Sequence, residues 1–96
     1  MLKKLYEIES SITLIRMDIK KTENFNLEYR LYEIACSRMR KRYAIAVILE
    51  DGEAFELASE ELRFAQRLYA DIMNGEVTPC TLKDVVEDSL KEEYLY

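Results

Sequence analysis

Residues 42–57, RYAIAVILEDGEAFEL, decide how this chain folds. Arg42 to Leu49 is an apolar run rich in strand formers, Glu53 to Leu57 is a second short strand-like segment, and between them stands Asp51-Gly52, a dipeptide favoured in two-residue type I′ hairpin turns. With that turn, Ile48 faces Phe55 and Ala46 faces Leu57 on one side, while Val47 faces Glu56 on the other. Working back from the hairpin, Leu27 to Cys36 is rich in Tyr and Ile and reads as a further antiparallel strand, reached through the basic loop Arg38, Met39, Arg40 and Lys41. A four-residue loop there groups Tyr29 and Leu31 with Ala44, Ala46, Ile48 and Phe55, and puts Tyr32, Ile34, Cys36, Tyr43, Ile45 and Val47 on the opposite face. Both faces are apolar.

Working forward, the hydrophobic period changes to that of a helix. Leu62, Ala65, Leu68, Tyr69, Ile72 and Met73 form one stripe, with Ser59 as N-cap, Glu60 and Glu61 in the first turn and Gly75 as the stop. A second helix starts at Thr81, whose spacing to Asp84 fits a capping box, and shows Leu82, Val85, Val86 and Leu90 on one side. The expected fold is α+β: a three- or four-stranded antiparallel meander with two C-terminal antiparallel helices packed on one face, the one where Ala44 and Ala46 leave room. It forms a single domain over 1–96, with an N-terminal segment at 1–24, the meander at 25–57 and a helical hairpin at 59–93. The N-terminal segment is ambiguous. Leu5, Ile8, Ile12, Ile15 and Ile19 fit a helical spacing, while Ile15, Met17 and Ile19 alternate as in a strand; the expectation is a short helix from Leu2 to Glu9 and a strand near Thr13 to Lys20. A helix closes the second sheet face, whereas a strand leaves it open for a partner.

Charge is divided along the chain. Up to Ile48 there are 10 Lys/Arg against 6 Asp/Glu, and from Leu49 onward 4 against 13, so +4 and −9 sum to the net −5. Such asymmetry speaks of partners and solubility, not of fold. The 49% apolar fraction, with 2 Gly and 1 Pro in 96 residues, is that of a globular domain with short loops. Ile12 to Ile19 is broken by Arg16 and Asp18 and fits neither a signal peptide nor a membrane span, so a cytoplasmic location is expected. Two cysteines, Cys36 and Cys80, are expected as reduced thiols, Cys80 as the apolar half of a staple onto Val85.

The catalytic inventory is poor. There is no histidine, hence no imidazole for a nucleophile, a metal or a proton shuttle, and the chain is expected not to be an enzyme. No cofactor, metal or small-molecule substrate is indicated: the only glycines are Gly52 and Gly75, too few for a phosphate cradle, and no calcium-loop spacing occurs. Three surfaces carry the functional alternatives. The first is an apolar partner interface at Tyr32, Ile34, Tyr43, Ile45 and Val47, the tyrosines being favoured anchors. The second is a basic patch of Arg38, Arg40, Lys41 and Arg42, next to Tyr43 for base stacking. The third is an acidic face of Asp71, Glu76, Asp84, Glu87 and Asp88, which a phage-type inhibitor or nucleic-acid mimic could present to a basic nucleic-acid-binding groove.

The string Val77-Thr78-Pro79-Cys80-Thr81-Leu82-Lys83-Asp84-Val85-Val86-Glu87-Asp88, with Glu28-Tyr29-Arg30-Leu31 and Tyr43-Ala44-Ile45-Ala46-Val47 upstream, resembles a small family of unknown function from anaerobic Gram-positive bacteria. The likeness covers about residues 27 to 90. It implies a bacterial cytoplasmic protein with a strand-rich front and a helical back, and it supplies no site residues. On the residues, the favoured role is a non-catalytic interaction or regulatory module that binds a protein partner, or itself as a homodimer, through the second sheet face. The acidic inhibitor and nucleic-acid contact through 38–42 are the alternatives, the latter opposed by the net negative charge.

Overall fold

The computed structural model describes the backbone of residues 11–35 and 40–95, with side chains up to residue 91. Four strands, β1 (Ser11–Lys21), β2 (Asn26–Ala35), β3 (Lys41–Leu49) and β4 (Gly52–Ser59), precede two helices, α1 (Leu62–Asn74) and α2 (Pro79–Leu95). The sheet order is β1-β2-β3-β4 and every pair is antiparallel, an open meander. The expected helix at 2–9 lies outside the described residues; the strand expected near 13–20 is β1.

Local chemistry fixes the connections. Between β1 and β2, the Thr22 hydroxyl donates to the Phe25 carbonyl at 2.9 Å and accepts from the Phe25 N–H at 3.1 Å, closing a tight turn. Between β3 and β4 the turn residues are Glu50 and Asp51, because Leu49 pairs with Gly52. The type I′ turn at Asp51-Gly52 is therefore corrected: that turn needs positive φ at both central residues, and Glu76 alone among the described residues has one. Ile48 consequently faces Glu53, Ala46 faces Phe55 and Val47 faces Ala54. The slip is two residues, so each side chain keeps its face.

The pairing of β2 with β3 corrects the face assignment itself. Ala35 pairs with Lys41, which leaves five residues in the connection where four were expected, and a one-residue difference exchanges faces. Tyr29 lies opposite Val47, Leu31 opposite Ile45, and Tyr32 opposite Ala44. Leu27, Tyr29, Leu31, Tyr43, Ile45 and Val47 therefore share one face, and that is the face the helices cover. The helices do not lie on Ala44 and Ala46.

Phe64, Ala65, Leu68, Tyr69 and Ile72 of α1, with Leu82 and Val86 of α2, complete a continuous core with this face and with Ala58. Phe64 replaces the expected Leu62, which is 39% exposed. The end of α1 is a Schellman arrangement: Val77 N–H donates to the Ile72 carbonyl at 3.1 Å and Glu76 N–H to Met73 at 3.2 Å. The left-handed residue is Glu76, at φ 52°, not Gly75. Helix α2 begins earlier than Thr81, with Pro79 in its first turn, where its missing N–H costs no intrahelical bond. Cys80 is thereby an exposed residue of that turn rather than a staple ahead of the helix.

Candidate functional site: the uncovered sheet face

Strand β1 separates two environments with a single irregularity. Leu14 pairs with Tyr32 and Arg16 with Leu31, so Ile15 is an extra, bulged residue. Beyond it, Arg16, Asp18 and Lys20 point to the helix side. The Tyr69 hydroxyl lies 2.8 Å from Asp18 Oδ2 and 2.9 Å from the Tyr29 carbonyl oxygen, and it donates its proton between these two acceptors. Arg16 Nε donates to the same carboxylate at 2.8 Å, and its guanidinium stands 5.2 Å from the Tyr69 ring centroid. Lys20 Nζ donates to the Met73 carbonyl at 3.2 Å and pairs with Glu76 at 3.6 Å, neutralising the carbonyl end of α1. Burial, first, and the Asp18 hydrogen bond and charge raise the Tyr69 pKa; burial and the Glu76 charge push Tyr29 up to about 12. The Tyr29 hydroxyl donates to the Val77 carbonyl at 3.2 Å. This charged seam closes the core along β1.

The opposite face has no such cover among the described residues. The registers place its side chains in five rows: Ile12, Ile34 and Arg42; Leu14, Tyr32, Ala44 and Leu57; Met17, Arg30, Ala46 and Phe55; Ile19, Glu28, Ile48 and Glu53; and Lys21 with Asn26. Ile12, Leu14, Met17, Ile19, Phe55 and Leu57 are each 46% to 57% exposed. At roughly 100 Å² of exposed area apiece they leave roughly 600 Å² of apolar side chain in water, the upper end of what a monomer ordinarily shows. The two alanines are buried, and Tyr32 and Phe55, on the strands beside them, hold their ring centroids 5.9 Å apart. Down the middle, Arg30 binds Glu28 through its Nε and the Tyr32 hydroxyl through NH1 at 3.1 Å. The charges within this face are thus partly satisfied internally. Arg30, Tyr32, Ala46, Ile48 and Phe55 also line an open depression there.

The expected partner interface is therefore divided. Tyr32 and Ile34 are on the uncovered face, but Tyr43, Ile45 and Val47 are in the core, at 6%, 0% and 0% exposure, and cannot meet a partner. The β1 residues take their place. The basic patch does not assemble as one stacking site either. Arg38 lies outside the described residues; Arg40, Lys41 and Arg42 are exposed, but Lys41 pairs with Glu33 at 3.6 Å on the helix side, and Arg42 is on the uncovered face. Tyr43, the proposed stacking aromatic, is buried with its hydroxyl 3.4 Å from Glu33. Asp71, Glu76, Asp84, Glu87 and Asp88 are all exposed, Asp71 on α1, Glu76 in the turn with its Lys20 pair, and the last three on α2. Among the described residues no three acidic or cysteine side chains are grouped so that they could hold a metal ion, and no helix is long and apolar enough to cross a membrane.

Residues 8–92 match the profile of a family of unknown function, DUF6514. The chain belongs to that family. A search of curated proteins and a search of solved structures each found no match. Membership adds no chemistry, and the site rests on geometry alone.

Proposed function

We propose that this chain is a non-catalytic protein-binding module that works through the uncovered sheet face. The observation that carries the reading is the exposed apolar surface of β1 and β4 on the side away from the helices. Withdrawing roughly 600 Å² of it from water is worth on the order of 15 kcal/mol before other terms. Association costs about 4–15 kcal/mol in lost freedom, so a partner of matching area can be held. The lack of histidine and the internal pairing of Arg30 and Glu28 support binding rather than proton-transfer chemistry.

A photo-crosslinking amino acid at position 55, compared with one at exposed Asp84, tests this in cells. Protein adducts formed through position 55 and not through 84 support the reading. Equal yields from the two positions refute it.

A further inference from the structure

We infer that the partner of the uncovered face is a second copy of this chain, stacked sheet on sheet about a twofold axis lying between the sheets and perpendicular to the strands. The inference rests on the binding role proposed above and adds the identity and orientation of the partner. Area comes first. An exposed apolar patch of roughly 600 Å², enlarged by the polar rim, approaches the roughly 800 Å² per partner that a specific interface buries. Charge comes second. The face carries Glu28 and Glu53 against Lys21, Arg30 and Arg42, a balance of +1 on a molecule of net charge −5. It therefore selects no strongly charged partner and brings two copies together with little repulsion at the contact.

The distribution of those charges chooses the axis. Arg42 stands at one end of the strands, Glu28 and Glu53 at the other, on the strands flanking Ile48. A twofold axis along the strands would stack each end on its like, with both Arg42 at one end and four carboxylates, offset only in part by the two Lys21, at the other. An axis perpendicular to the strands reverses the rows instead. It lays Arg42 over Ile48 of the mate, with the mate's Glu28 and Glu53 about 4.8 Å to either side, in sheets about 10 Å apart. It also lays Phe55 on Leu57, Met17 on Leu14 and Ile19 on Ile12. The contact is to a face and not to an edge, because β1 guards its edge with a bulge and with Arg16, Asp18, Lys20 and Lys21.

Equilibrium sedimentation of the full chain, of R42E and of the pair E28K/E53K decides the matter. The wild type dimerises. Each variant alone places like charges in both contacts and weakens the dimer by about a hundredfold. Mixing R42E with E28K/E53K restores both contacts and yields a heterodimer of near wild-type strength. Should E28K disturb the Arg30 pair and the fold, E53K alone gives a smaller weakening on a well-folded background, checked by circular dichroism. A monomeric wild type, a dimer indifferent to R42E, or a mixture that forms no heterodimer overturns the inference. A monomer whose position 55 crosslinks to a different protein removes this inference and leaves the binding role standing. A monomer whose position 55 crosslinks only to its own residues 1–10 removes both.

Discussion

Removing one oxygen atom tests how the core is closed along β1. In Tyr69→Phe the ring stays, but Asp18 and the Tyr29 carbonyl lose the hydroxyl that stands 2.8 and 2.9 Å from them. A hydrogen bond to a charged group contributes roughly 1.5–3 kcal/mol. The Asp18 side chain is 32% exposed and keeps its Arg16 partner, so water returns part of the loss and the expected cost is about 1.5–2.5 kcal/mol. For a domain of this size that lowers Tm by roughly 10 °C. Urea unfolding of Tyr69→Phe, Asp18→Ala and the double variant measures the cost and the coupling together, and a coupling of about 1 kcal/mol is expected for groups in direct contact. A Tyr69→Phe cost under about 0.5 kcal/mol, or additive single effects, would refute the view that this bond seals the seam.

Four further outcomes are expected from the same packing. Tyr29 and Tyr69 both titrate above the ordinary tyrosine value of 10.0 in the folded chain, so above that pH the unfolded state releases protons the folded state retains. Their contribution is whole below pH 10 and is lost as pH rises toward and past about 12, which a falling urea midpoint at alkaline pH will show and a flat one will contradict. Glu76→Gly relieves left-handed strain of about 1 kcal/mol and gives up an exposed ion pair worth about 0.5 kcal/mol or less, so a net gain near 0.5 kcal/mol is expected in denaturant titration. Phe64→Ala should cost about 3–4 kcal/mol and Leu62→Ala under about 1, and the reverse order would contradict the placement of α1. Phe55→Glu should leave the secondary structure seen by circular dichroism intact while abolishing crosslinks made from position 57, and undiminished crosslinking there counts against the uncovered face as a binding surface.

What could be read in advance depended on parity. The strands at 42–49 and 53–57 and the first helix announced themselves through composition and period, and the meander followed. The two-residue slip in the hairpin was harmless because an even shift returns every side chain to its side. The five-residue connection after Ala35 was not, since the odd shift set Tyr32 and Ile34 beside Ala44 and Ala46, and the helices cover Tyr43, Ile45 and Val47 instead of those alanines, so only two of the five expected interface residues lie on the uncovered face. Loop length of that kind carries no hydrophobic signal. Phe64 was missed because Leu62 offers an equally good helical phase until the entry angle of α1 is known. Glu76 was missed because nothing but backbone conformation marks it. The Arg42–Tyr43 pairing suggested a stacking site because adjacent strand residues look like neighbours, although they project to opposite faces.

The bulge at Ile15 acts as a phase shifter. Ile12 and Leu14 alternate in one frame, Met17 and Ile19 in the other, and the single surplus residue is what keeps all four on the same side with Arg16, Asp18 and Lys20 on the reverse. Deleting Ile15 would leave every remaining side chain chemically unchanged. It would close the ladder into unbroken alternation with every one of them on its present side, whereas losing or gaining one residue anywhere else in this strand would need another bulge or drive one set of side chains through the sheet.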